Sequence, residues 1–111
     1  MRIIYNNLIP FKGFAGINLF GVLFVRKGVT VNHRMINHER IHSAQMKELL
    51  FIGFYVLYLL EWIIRLFQYR FKWHTAYRNI SFEREAYFND FDFSYLTEKR
   101  KPYNFIKHLK T

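Results

Sequence analysis

Asn37-His38-Glu39-Arg40-Ile41-His42 decides the fold, because its chemistry requires a helix and a further ligand brought opposite it. On a helix, residues four apart project from one face about one turn apart, so both imidazoles can reach a single ion at roughly 2.0 to 2.1 Å. Glu39 follows the first histidine directly, where a carboxylate can take a proton from a metal-activated water. A metal lowers the pKa of such a water to about 7 in favourable sites. The flanking residues agree with a helix from about Met35. Asn32 is a candidate N-cap, and Ile36, Ile41, Ala44, Leu49 and Ile52 give an apolar face at three- and four-residue spacing.

Catalytic zinc takes three protein ligands and keeps one position for water, and two His with one Glu is a known set. With no cysteine in the chain, the third ligand must be a histidine or an acid. Ser81-Phe82-Glu83-Arg84-Glu85-Ala86-Tyr87 offers Glu83 and Glu85 at the head of a helix that Asn79 or Ser81 would cap. An unbroken helix from His42 to Arg70 would carry the chain about 42 Å away. The segment back to Glu83 spans at most about 43 to 47 Å when fully extended. A turn is therefore expected, and Gly53, which costs a helix about 1 kcal/mol relative to Ala, is the candidate break. The metal cluster thus predicts a helical hairpin.

Outward from this core, Ile3-Ile4-Tyr5 reads as a short strand ended by a turn at Asn6-Asn7 and Pro10. Gly13 and Gly16 punctuate the next stretch, and Ile17 to Arg26 has the profile of a strand or bent hairpin. A second helix is expected from about Tyr55 to Tyr69, buried on most sides by Leu57, Leu59, Leu60, Ile63, Ile64 and Phe67, and Arg70 to Arg78 reads as a loop. The fold class is α+β in a single domain. A small N-terminal antiparallel sheet (1–30) packs on a mainly helical metal-site body (35–90), followed by a basic C-terminal segment (91–111). The aromatic excess from Phe51 to Tyr77 has a helical period and reads as packing, not as a base-stacking platform.

The 111 residues suffice for a modest core, and 51% apolar with 21% aromatic composition excludes a disordered chain. The formal charge of +9 favours anionic partners without choosing among them. Its clusters, Lys99, Arg100, Lys101, Lys107 and Lys110 near the C-terminus and Arg65, Arg70, Lys72 and Arg78 before them, read as solvated faces. Nucleic acid is disfavoured as a partner, since no helix-turn-helix, zinc finger or phosphate-cradling loop accompanies the charge. The first residues lack the apolar run of a secretory signal, and the absence of cysteine fits a cytoplasmic protein. Leu49 to Phe67 is the candidate for contact with a membrane surface, because Glu61 and Arg65 interrupt what a simple span requires.

His38-Glu39-x-x-His42 followed by Glu83-x-Glu85-Ala86 on a later helix resembles the gluzincin clan of zinc metallopeptidases, particularly the single-domain minigluzincins. It also resembles the core of membrane-embedded prenyl-protein peptidases. The resemblance covers residues 17 to 90 in layout. It implies zinc as the cofactor, Glu83 as the third ligand, Glu39 as the catalytic base and a peptide or protein substrate. It further implies that the strand before the motif helix lines the cleft and can pair with an extended peptide. That clan often has an acid or Asn four residues after the ligand Glu, where this chain has Tyr87. A register using Glu85, with Asn89 four residues on, is the alternative. Two other functions compete with a peptidase: a non-catalytic interaction module and a membrane-surface protein of the same fold. Gln45, His33, His74, Tyr77 and Tyr87 read as structural, His74 being a weak candidate for a transition-state donor.

Overall fold

The computed structural model describes residues 2–8 and 16–109, so the turn expected at Pro10, the break at Gly13 and the charge of Lys110 lie outside the described residues. Strands β1 (Arg2–Asn6), β2 (Gly16–Leu19) and β3 (Val22–Arg26) form one sheet in the order β1-β3-β2. Phe20 and Gly21, at φ 52° and 89°, make the two-residue turn whose hand matches strand twist. β2 and β3 are therefore antiparallel, with Ile17 opposite Phe24. β1 pairs with β3 in parallel, Ile4 opposite Phe24, so the sheet is mixed and not wholly antiparallel as expected. The reason is strand order: β3 enters between its two predecessors, and the hairpin partner of β2 then runs alongside β1. Leu23 and Val25 of this central strand are fully buried.

Helix α1 (His33–Glu48) starts at Asn32, whose side chain accepts from the Met35 N–H at 2.8 Å. Its buried side chains are mostly polar: Asn37, His38, Glu39, His42 and Gln45, beside the apolar Ile41 and Met46. Such a face is stable only when its polar groups find partners inside the protein. Helix α2 (Ile52–Gln68) leaves α1 at a bend of 110°. The break falls at Leu50 and Phe51, at φ 57° and 62°, and Gly53 lies inside the first turn of α2, contrary to expectation. Left-handed backbone costs about 1 to 2 kcal/mol per residue outside glycine. Two contacts offset that cost here: Met46 O accepts the Phe51 N–H at 2.7 Å, and the Phe51 ring packs on the core.

The stretch expected to be a loop holds a short helix, α3 (Trp73–Arg78), which fully buries Ala76. Helix α4 (Ser81–Asn89) carries both downstream glutamates. Neither Asn79 nor Ser81 caps it with its own side chain. Instead the Glu61 carboxylate of α2 accepts from the Ser81 N–H and from Ser81 Oγ, each at 2.6 Å, placing a negative charge at the positive end of α4. One core cluster gathers Met46, Phe54, Ile80, Phe82 and Phe105, and a second joins Ile41, Ala86 and Tyr95. The C-terminal segment, a turn of π-helix (Tyr95–Lys99) and a 3-10 turn (Asn104–His108), contributes Tyr95 and Phe105 to these clusters.

Helix α2 is oriented the opposite way from its apolar pattern. Leu57, Leu59, Leu60, Ile63, Ile64 and Phe67 are between 42% and 68% exposed, whereas Phe54 and Arg65 are buried. The inward positions are claimed by groups with specific partners: Tyr58 for Glu83, Glu61 for Ser81, and Arg65 for Glu61 and Leu109 O. Arg65 and Arg100 are thus not solvated charges. Arg100 lies between Glu85 and Glu48, at 2.6 Å and 2.7 Å. The aromatic residues after Phe51 divide in the same way, with Phe54 in the core and Phe67, Phe71 and Trp73 outside.

Candidate metal centre

One turn of α1 and the first turn of α4 meet at the site. Nε2 of His38 and Nε2 of His42 are 3.1 Å apart, and Glu83 Oε1 lies 3.2 Å from the first and 3.0 Å from the second. All three residues are buried and could together hold a metal ion. The helical spacing accounts for the two rings. The 110° bend and the return through α3 and α4 account for the carboxylate.

The neighbouring groups fix which ring nitrogens carry protons. Gln45 Nε2 donates to Phe82 O at 3.0 Å and to Glu85 Oε1 at 2.9 Å, so Gln45 Oε1 must be the oxygen facing His42 Nδ1 at 2.8 Å. Asp90, ion-paired with Arg34 at 2.6 Å, presents Oδ2 to His38 Nδ1 at 3.0 Å. In each neutral imidazole the proton therefore sits on Nδ1 and the lone pair on Nε2. Glu83 Oε2 accepts from Tyr58 Oη at 2.6 Å, leaving Oε1 for the cluster. With both rings neutral, three lone pairs would meet with no hydrogen between them, so the cluster suits a cation, either a metal ion or a proton. Donors bound tetrahedrally at about 2.0 to 2.1 Å stand about 3.3 Å apart, close to the separations seen here.

A proton is the alternative cation. Burial opposes charge on His42, yet the Glu83 carboxylate overrides it and pushes the imidazole up to about 9. Burial likewise opposes charge on Glu83, and His42 and His38 hold its carboxyl far below the usual range. For Glu39, burial raises the pKa, His42 and His38 lower it, and burial prevails.

Beside the cluster opens a cleft of ≈ 400 Å³ whose wall includes His38, Glu39, Tyr77, Arg78, Asp90 and Gly16. His74 and Tyr87 also border it. Gly16 sits in a tight place, since a Cβ there would stand 2.8 Å from the flexible tip of Met35, 3.1 Å from Leu23 Cδ1 and 3.3 Å from Phe24 O. Asn18 fastens β2 to the motif helix by donating to Glu39 O and Ser43 Oγ, both at 2.9 Å. The strand directly preceding the motif helix, β3, is internal to the sheet and has no edge for a peptide. The edge beside the cleft belongs to β2, and Tyr55 Oη occupies its far end through Asn18 O and the Phe20 N–H.

Comparison with protein-family models, curated proteins and solved structures finds no match to this chain. Of the two downstream glutamates, Glu83 stands at the rings. Glu85 is bound elsewhere, to Gln45, Tyr95 Oη at 2.6 Å and Arg100. Asn89, the support expected in the Glu85 register, donates to Glu85 O at 2.9 Å. At the position four after Glu83, the Tyr87 ring packs edge-on against His38 at 4.4 Å, and the carboxylate support comes three residues later from Asp90. Tyr77 is paired with Tyr87 through their hydroxyls at 2.9 Å. Sequence reasoning missed Asp90, Tyr58 and Arg34. Asp90 carries a faint signal, two helical turns beyond Glu83 on the same face, whereas nothing local to Tyr58 or Arg34 announces a role.

Proposed function

We propose that the chain is a zinc-dependent hydrolase acting on peptide amide bonds, with His38, His42 and Glu83 as ligands and Glu39 as general base. The observation that carries this reading is the convergence of two imidazole nitrogens and one carboxylate oxygen at ligand-like spacing. Two imidazoles and one carboxylate suit zinc better than magnesium or calcium, which favour all-oxygen sets. Zinc supplies Lewis acidity and a water that ionises near neutral pH.

Glu39 lies on the cleft wall next to His38. Its burial raises its affinity for a proton, which suits a base that must accept one near neutral pH. It takes a proton from the attacking water as the oxygen–carbon bond forms. It then gives that proton to the amine nitrogen as the carbon–nitrogen bond breaks. Asp90 and Gln45 keep the two rings in the tautomer the site needs. The resemblance to gluzincin peptidases supports a peptide as substrate, and the β2 edge offers such a peptide backbone partners beside the cleft.

Metal analysis of protein purified without chelator tests the reading. One zinc per chain is expected, lost in His38→Ala, and absence of any bound divalent ion rejects the proposal. Glu39→Gln separates a peptidase, which keeps zinc and loses turnover, from a zinc-bearing interaction module, which is indifferent to the change.

A further inference from the structure

We infer that the outward face of α2 seats the protein on an anionic lipid bilayer, with the helix lying along the headgroup boundary and not crossing it. Ile52, Val56, Leu59, Leu60, Ile64 and Phe67 are between 51% and 71% exposed on one side of this helix. Within residues 52–67 every side chain classed as exposed is aliphatic or aromatic, while Tyr58, Glu61 and Arg65 are turned into the protein and hydrogen-bonded there. A helix in contact with water places its charges outward, so this one is built for an apolar neighbour.

Two observations favour lipid over a second protein surface. Phe67-Gln68-Tyr69-Arg70-Phe71-Lys72-Trp73, at the end of the helix, interleaves rings with cations, and Arg70, Phe71, Lys72 and Trp73 are exposed. Lys47 is exposed just before the other end. Rings and cations at the border of an apolar face are the groups that settle at headgroup depth on anionic membranes. The net charge of +9 adds long-range attraction of the same sign. Among the described residues no single helix is long and apolar enough to cross a membrane, and α1, the partner of α2 in the one bent pair of sufficient length, carries the buried polar cluster.

Co-flotation of the full chain with vesicles of phosphatidylcholine, with and without phosphatidylserine, tests this at low and physiological salt. Binding to the serine-containing vesicles is expected, weakening as salt rises. Leu60→Glu with Ile64→Glu should reduce vesicle binding at least about tenfold, because each places a charge in the apolar boundary. Arg70→Gln with Lys72→Gln leaves the apolar face intact and should lower binding to the anionic vesicles alone, about fivefold per removed cation. Failure of the wild-type chain to float with anionic vesicles overturns the inference. So does unchanged binding in both double variants. A dimer that Leu60→Glu with Ile64→Glu dissociates, with no vesicle binding, would assign the face to a second copy and equally reject the bilayer.

Discussion

Tyr58 donates its hydroxyl hydrogen to Glu83 Oε2 at 2.6 Å, so the helix that turns its apolar side outward holds a ligand of the metal cluster from within. A neutral donor on the second carboxylate oxygen fixes the rotation of the first. Tyr58→Phe removes that hydrogen bond while keeping the ring against Phe82. Zinc affinity, measured by competition with a chromophoric chelator, should fall about 10- to 100-fold. An unchanged affinity would show that Glu83 is held by its backbone alone.

Glu83 and Glu85 should fail in different ways. Glu83→Ala removes a ligand and should abolish stoichiometric zinc. Glu85→Ala leaves Arg100 with Glu48 alone and takes the buried acceptor from Tyr95 Oη and Gln45 Nε2, and should cost about 1 to 3 kcal/mol in urea unfolding. If Glu85→Ala instead loses zinc and remains stable, the ligand assignment is reversed.

The metal-free protein should show a pH signature from the cluster. His42 is raised from its ordinary 6.5 to about 9, so its contribution is fully present below about 6.5 and fades as pH climbs through about 9. Glu83 is lowered from 4.5, so its contribution is present above about 4.5 and fades only as acid carries the pH down through its depressed value. Chelator-treated protein should therefore melt lower at pH 9 than at pH 6. Zinc must displace the His42 proton, so below pH 9 its binding releases protons, and its affinity climbs toward that pH. Calorimetry in two buffers of different ionisation enthalpy reads the release directly, and no proton release at pH 7 contradicts the assigned charge state.

Zinc should also stabilise the fold by mass action. At a free concentration about 100 times Kd the gain is about 2.7 kcal/mol, visible as a higher melting temperature that EDTA reverses. His38→Ala and His42→Ala should each erase the difference between zinc and EDTA.

Glu39→Gln should lower amide hydrolysis by about 10² to 10⁴ while leaving zinc content unchanged, the range expected for loss of a positioned general base. A fluorogenic peptide assay on zinc-loaded protein checks it, and retained turnover would move the base to another group on the cleft wall.

Much of this architecture is legible from local pattern. Asn32 caps α1 as its type predicts, and the i, i+4 spacing places His38 and His42 together because helix geometry alone dictates it. The return of Glu83 follows from the reach of the chain, which an unbroken helix would leave nearly taut. What escapes the sequence depends on partners distant along it. Glu61 looks like an interruption in an apolar run until the N-terminus of α4 supplies its reason. The same holds for α2 as a whole, whose apolar residues predict the core and whose outward turn is set by Tyr58, Glu61 and Arg65. Parallel pairing of β1 with β3 is likewise a matter of strand order, which short alternating segments do not encode. Leu50 and Phe51 break the helix without a glycine because Phe51 finds packing there, and propensity had pointed to Gly53.

The Gln45 amide spans from His42 Nδ1 to Glu85 Oε1, and Glu85 in turn grips Tyr95 and Arg100 of the C-terminal segment. A protease nick or a bulky tag that lifts that segment away would slacken this linkage and let the His42 ring swivel, although no metal ligand had been touched. Preparations clipped near residue 100 would then pass for intact protein in size and helix content while failing to retain their ion on a desalting column.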